Sequence, residues 1–264
     1  MVKMWAVVKA NFLTQWRYQV NFWLETLSIF VIIFPSLTLT FNGNNGIWNF
    51  SSGRQYSFYL LVALSIWGFV ECLWSFVFQL RSEMKQGIFD ENQLLPISMN
   101  MRMITWSIDG IVSAVISFLP LFIISFLYSF IKISALDFLV SILIIMISVF
   151  SGYSLGVILM GLMLIWKECD QLVSFIGNIA PFICGMLVPL VNMPIGLRFL
   201  GLWMPFTWGL DIVRYLFFGY ETLLPIYYEI GILIVLTVIY YILSKLIFDK
   251  LNRLSKKKGG IIGY

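Results

Sequence analysis

Apolar residues run along this chain in long blocks rather than in alternation, and polar residues collect between the blocks. Six blocks stand out, at 24–41, 56–80, 104–131, 138–166, 172–191 and 226–248. Each is close to or above the roughly 20 residues that a helix needs to cross a hydrocarbon core of about 30 Å. Within such a core a helix satisfies its own backbone polar groups. The pattern therefore predicts an all-α integral membrane protein with six transmembrane helices and both termini on the same side.

Two stretches depart from the pattern. In 1–23, Met4, Trp5, Val8, Phe12 and Trp16 recur at helical spacing while Lys9, Gln15 and Arg17 interrupt. That predicts an amphipathic helix lying in the membrane interface, with its tryptophans at headgroup level. About twenty residues precede the first apolar block and no small-x-small site follows it, so a cleaved signal peptide is not expected. The other stretch, 192–225, is apolar and aromatic but broken by Pro194, Gly196, Pro205, Gly209, Gly219 and Pro225. It predicts short re-entrant or interfacial helices between the fifth and sixth spans, their irregular backbone buried in protein. Gly152 and Gly156 in the fourth block have the spacing that lets two helix backbones approach, and packing within the chain is the expected use.

Composition agrees with the blocks: 60% of residues are apolar and only 11% charged, too few charges to cover a soluble domain of this length. The placement of cations adds orientation. With both ends cytoplasmic, only Arg54, Lys132, Arg198 and Arg214 of the 17 Lys and Arg fall outside. This positive-inside bias predicts cytoplasmic N- and C-termini in a multi-pass protein of the cell membrane. The Lys256–Lys258 run reads as an anchor at anionic lipid headgroups. Histidine is absent, which removes Ser-His and Cys-His catalysis and most zinc sites. Cys72, Cys169 and Cys184 have no paired spacing and read as small apolar residues. No catalytic residue, metal site or nucleic-acid surface is expected.

The segment 81–98 after the second block carries Glu83, Gly87, Ile88, Leu94, Leu95 and Pro96. It reads as a short amphipathic helix that Pro96 terminates. Glu83, a glycine four residues on, then Leu94-Leu95-Pro96 resembles the ABC-2 family of ABC exporter permeases, with Ile88 at the family's usual threonine. A second region is similar to the same family: Gly185 and Pro189 with Pro194, then Pro205, Thr207 and Arg214, with Met204 at a frequent asparagine. The resemblance implies one domain over 1–264, two permease copies and a separate ATPase subunit that binds ATP and magnesium. It further implies that 81–98 is the cytoplasmic coupling helix, helped by Lys167 and Glu168. The chain itself has no phosphate loop and no Gly-Lys pair, so it is not expected to bind ATP in the usual way; the resemblance then implies a transporter subunit rather than an enzyme, with no cofactor in this chain.

Polar residues inside spans need an account, because they are costly there. Glu71, Ser75, Phe76 and Gln79 in the second block, with Ser174, Asn178 and Pro181 in the fifth, are the candidate substrate pathway; packing between helices explains them nearly as well. Asp109 lies seven residues after Arg102 on one helix face and is expected to pair with it. Asp211 and Arg214, three apart, are expected to form a local brace. The function expected is export of an amphipathic or lipophilic substrate, drug-like or peptide, with a lipid-linked glycan or polysaccharide as the alternative. An intramembrane enzyme and a structural membrane protein are the rivals from other classes.

Overall fold

The computed structural model of the chain describes residues 53–93, 98–129, 134–166, 169–219 and 222–257, and among these the regular structure is entirely helical. Helix α1 (Gly53–Leu73) turns at Trp74 into α2 (Ser75–Lys85), followed by the short α3 (Phe89–Gln93). Next come α4 (Met99–Ser129), α5 (Ala135–Met163) and α6 (Cys169–Ile183). A 3-10 turn (Leu190–Asn192) leads to α7 (Ile195–Leu202), α8 (Pro205–Phe218) and α9 (Ile226–Lys257). Among the described residues, three stretches are long and apolar enough to cross a membrane: Tyr59–Lys85, Ala135–Met163 and Ile226–Ser255.

Helix α5 is the hub of the packing, touching α1, α2, α8 and α9. Its sequence explains why. Ser141, Ser148, Ser151, Gly152, Ser154 and Gly156 are all buried along it. The serine hydroxyls donate to their own helix, Ser141 to the Asp137 carbonyl at 2.7 Å and Ser148 to that of Ile144 at 2.8 Å. Small side chains whose polar atoms are already satisfied let neighbouring helices come close without orphaning a hydroxyl. A Cβ on Gly152 would lie 2.7 Å from Val70, and one on Gly156 would lie 2.8 Å from Trp74. The GxxxG spacing thus serves packing within the chain, and the Trp74 indole N–H completes the joint by donating to the Gly152 carbonyl at 2.8 Å. Helix α8 crosses α5 at Gly209, where a Cβ would stand 1.8 Å from the Ser148 hydroxyl oxygen.

The outward faces are apolar. Only 17% of the most apolar window of α9 is buried within the chain. Its Ile234, Val235, Val238, Ile242 and Leu246 are exposed, as are Leu139, Leu143 and Met146 of α5. Side chains of this kind belong against lipid.

Several expected boundaries change. The first block and the interfacial helix over 1–23 lie outside the described residues. The second block is two helices with a corner at Trp74, whose burial fixes the joint. The third falls on α4, and 130–131 lie outside the described residues. The fifth block, expected over 172–191, is helical only to Ile183; at 1.5 Å per residue its 15 residues span about 22 Å, short of a hydrocarbon core. Pro181 lies within its last turn, and Gly185 follows at φ +82°, which turns the chain away. The sixth block continues as helix to Lys257, because Asp249, Lys250 and Arg253 keep good helix formers running beyond the apolar part. Between Val191 and Pro225 the breaks fall at Pro194, Pro205, Gly219 and Pro225, whereas Gly196 and Gly209 lie inside α7 and α8. Pro194 precedes α7, Pro205 opens α8, and Gly219 ends it at φ +68°.

Candidate functional site: a cleft between α2 and α6

Two separate polar regions occupy this bundle. One is a surface cleft of about 690 Å³, walled by Phe78, Arg81, Ser82 and Lys85 of α2 and by Gln171, Ser174, Phe175 and Asn178 of α6. The spacing on each helix explains the wall. Positions 78, 81, 82 and 85 form one helical face, as do 171, 174, 175 and 178. Phe78 is 42% exposed and Phe175 63% exposed, so the cleft joins cationic, neutral polar and aromatic surface.

Of the expected pathway, Ser174 and Asn178 line this cleft. Ser75 and Gln79 sit on α2 but outside its wall, and Pro181 lies at the far end of α6. Phe76 is fully buried, packed against Tyr153 and the Gly156 position. Glu71 is exposed on α1 and hydrogen-bonds Trp67 on the preceding turn. Sequence reasoning did not place Arg81, Ser82, Lys85 and Gln171 at the site. Their i, i+3, i+4 spacing with Phe78 and Ser174 was a signal for it.

The corner after α2 is built by Glu83 and Gly87. Gly87 takes φ +72°; its N–H donates to the Met84 carbonyl at 3.2 Å, and that of Ile88 donates to the Glu83 carbonyl at 3.2 Å. This is the paired bonding of a Schellman ending, for which a glycine in the left-handed region is suited. The expected continuous helix over 81–98 is therefore the end of α2, a glycine corner and the short α3. Ile88 is 37% exposed beyond the corner. Leu94, Leu95, Pro96, Lys167 and Glu168 lie outside the described residues.

The Glu83 side chain is buried and accepts from the Arg102 guanidinium of α4. Its carboxylate is thereby engaged within the chain rather than presented to a partner. Arg102 also lies 4.9 Å from the Trp106 ring centroid. The side chain of Asp109, the partner expected for Arg102, lies outside the described residues; Arg102 reaches across to Glu83, where a buried carboxylate needs a cation.

The second polar region is buried where α1, α8 and α9 meet. Arg214 donates to Asp211 Oδ1, the expected brace. Asp211 Oδ2 accepts the Leu223 N–H at 3.2 Å, and Glu229 Oε1 accepts the adjacent Leu224 N–H at 3.0 Å. The Arg214 guanidinium stands 5.8 Å from the Tyr59 ring centroid, and the Tyr59 hydroxyl donates to the Gly185 carbonyl. Glu229 and Tyr59 were not singled out from sequence, although an acid in the first turn of an apolar span invites the question. The cluster ties together α1, the turn after α6, α8 and the loop into α9.

No protein-family model matches this chain, and no curated protein matches it. Among the described residues no group of His, Cys, Asp and Glu is placed to hold a metal ion.

Proposed function

We propose that this chain is the membrane-spanning permease subunit of an ATP-driven exporter, moving an amphipathic or lipophilic molecule out of the cell. The reading includes six spans, cytoplasmic termini and a second permease copy, with ATP and magnesium bound by a separate ATPase subunit. The observation that carries it is the corner at the end of α2. There an acid and a glycine four residues apart, the core of the resemblance to ABC-2 permeases, have a joint physical task. Glu83 anchors the end of α2 to α4 through Arg102, and Gly87 turns the chain so that Ile88 emerges exposed. A rigid corner of this kind suits the transmission of force from a docked subunit into a span. The α2–α6 cleft, which opens beside the same corner, is the candidate entry for cargo.

The test is co-purification with the ATPase subunit together with cargo-stimulated ATP turnover in reconstituted membranes. Ile88→Asp combined with Leu94→Ala and Leu95→Ala is expected to leave the permease inserted and folded while weakening the complex more than tenfold. Loss of a well-buried interface side chain typically has an effect of about 2 kcal/mol or more. Unchanged co-purification and turnover would remove the coupling assignment.

A further inference from the structure

We infer that Glu229 and Asp211 form a carboxylic acid–carboxylate pair bridged by one proton, a buried protonation site that ties α9 to α8. Three of their four carboxyl oxygens have a donor: Asp211 Oδ1 accepts from Arg214, Asp211 Oδ2 from the Leu223 N–H at 3.2 Å, and Glu229 Oε1 from the Leu224 N–H at 3.0 Å. The fourth, Glu229 Oε2, has no hydrogen-bond partner, although Glu229 is fully buried. The consecutive amides of Leu223 and Leu224 hold the two carboxyl groups side by side, and Glu229 and Asp211 stand within hydrogen-bonding reach of each other. Two ionised carboxyl groups only accept hydrogen bonds and repel one another, so a contact between them needs a proton. One proton on Glu229 turns it into a donor and removes one of two buried negative charges.

The surrounding groups decide which carboxyl carries the proton. Asp211 is paired with the Arg214 guanidinium on its own helix, so it is the ionised partner. Arg214 Nε is buried without an acceptor, whereas an ionised Glu229 beside that guanidinium would take the spare N–H. From α1, the Tyr59 ring lies against Arg214 with Tyr56 beside it, and the Tyr59 hydroxyl is spent on the Gly185 carbonyl. The proton is therefore part of the joint between α8, the loop 222–225 and the start of α9. Its loss would set two like charges against each other, so the joint weakens as pH rises. The sign follows from proton counts: the folded chain holds a proton that the unfolded chain releases above about pH 4 to 5, and below that range both hold it. The inference uses neither the ATPase nor the cargo, so it and the exporter reading can fail separately.

The experiment follows thermal unfolding of the full-length chain in nonionic detergent between about pH 6 and pH 9, beside infrared spectra of chain made with isotope-labelled glutamate. Glu229→Gln keeps an acceptor for the Leu224 N–H, offers an N–H to Asp211 and does not titrate. Across that range the native melting temperature is expected to fall by about 3 °C or more relative to the variant. Subtracting the variant removes the contribution of every other titrating group. Native spectra at neutral pH are expected to contain a protonated-carboxyl carbonyl band that Glu229→Gln lacks. Should Glu229→Gln not fold, Asp211→Asn takes its place: it frees Arg214 to pair with Glu229, and the same band is expected to disappear as Glu229 ionises. Parallel melting curves for the native chain and Glu229→Gln would overturn the inference, as would a neutral-pH spectrum that neither substitution changes.

Discussion

The two polar regions of this chain use similar residues in opposite ways. Around Tyr59, Asp211, Arg214 and Glu229 the charges are buried, and each meets an opposite charge or a backbone N–H. In the α2–α6 cleft, Arg81 and Lys85 stand at the surface beside exposed aromatic and neutral polar side chains, and both interact within the chain. Burying charge is tolerated only with pairing, so the first arrangement specifies structure, although Arg214 Nε and Glu229 Oε2 are buried without a hydrogen-bond partner. Cations in an open cleft keep access to water, and their pairing therefore weighs little on stability. The Glu83–Arg102 pair lies between these extremes, since each side chain is 10% exposed and the pair forms the edge of the corner beside the cleft.

The sharpest way to break this contrast is Arg214→Leu. It leaves Asp211 and Glu229 buried without their cation, and a loss of about 3–5 kcal/mol is expected. The measurement is thermal unfolding of the full chain in detergent; a change below about 1 kcal/mol would mean that the cluster is not the brace described. Glu83→Ala comes next, at about 1–3 kcal/mol, because Arg102 keeps partial access to water and its contact with Trp106. Replacing both partners, Glu83→Leu with Arg102→Met, should recover most of that loss, which a double-mutant cycle would read directly. Gly87→Ala forces a Cβ into the left-handed region and is expected to lower stability by about 1 kcal/mol. The space around Gly87 is open, so the effect comes from the backbone alone, and Gly87→Asn should be milder. Arg81→Gln with Lys85→Gln, at the open cleft, is expected to stay within about 0.5 kcal/mol of the native melting behaviour. A large destabilisation there would move these cations into the same class as Arg214.

Much of the outline was legible beforehand because membrane burial acts on local composition. The blocks at 138–166 and 226–248 are helices α5 and α9 to within a few residues at three of their four ends, since about 20 consecutive apolar residues have few alternatives in a bilayer. The prolines of 191–225 and Gly219 marked the breaks between short helices through their backbone limits, whereas Gly196 and Gly209 are carried inside helices. The fifth block misled for a related reason. Residues 184–191 are as apolar as a span, but Gly185 and Pro189 take them out of the helix and under α7, where a Gly201 Cβ would stand 2.4 Å from the Ile183 carbonyl oxygen. Hydropathy does not distinguish apolar residues facing lipid from apolar residues buried in an irregular turn.

Sequence alone determined the class of this protein, an all-helical chain with helices fit to cross a membrane, because composition and block length decide what can be placed in hydrocarbon. It also determined the Asp211–Arg214 brace, since residues three apart on a helix meet whatever surrounds them. The tertiary structure decided the partners of charges far apart in the chain. Helix spacing offered Arg102 only Asp109, seven residues on, whereas Glu83 lies nineteen back. Only the packing of α2 on α4 brings Glu83 within its reach. The cleft is of the same kind, because Arg81 and Ser174 lie 93 positions apart in the numbering. Their meeting depends on how α5 holds α2 and α6 together, which no local pattern encodes.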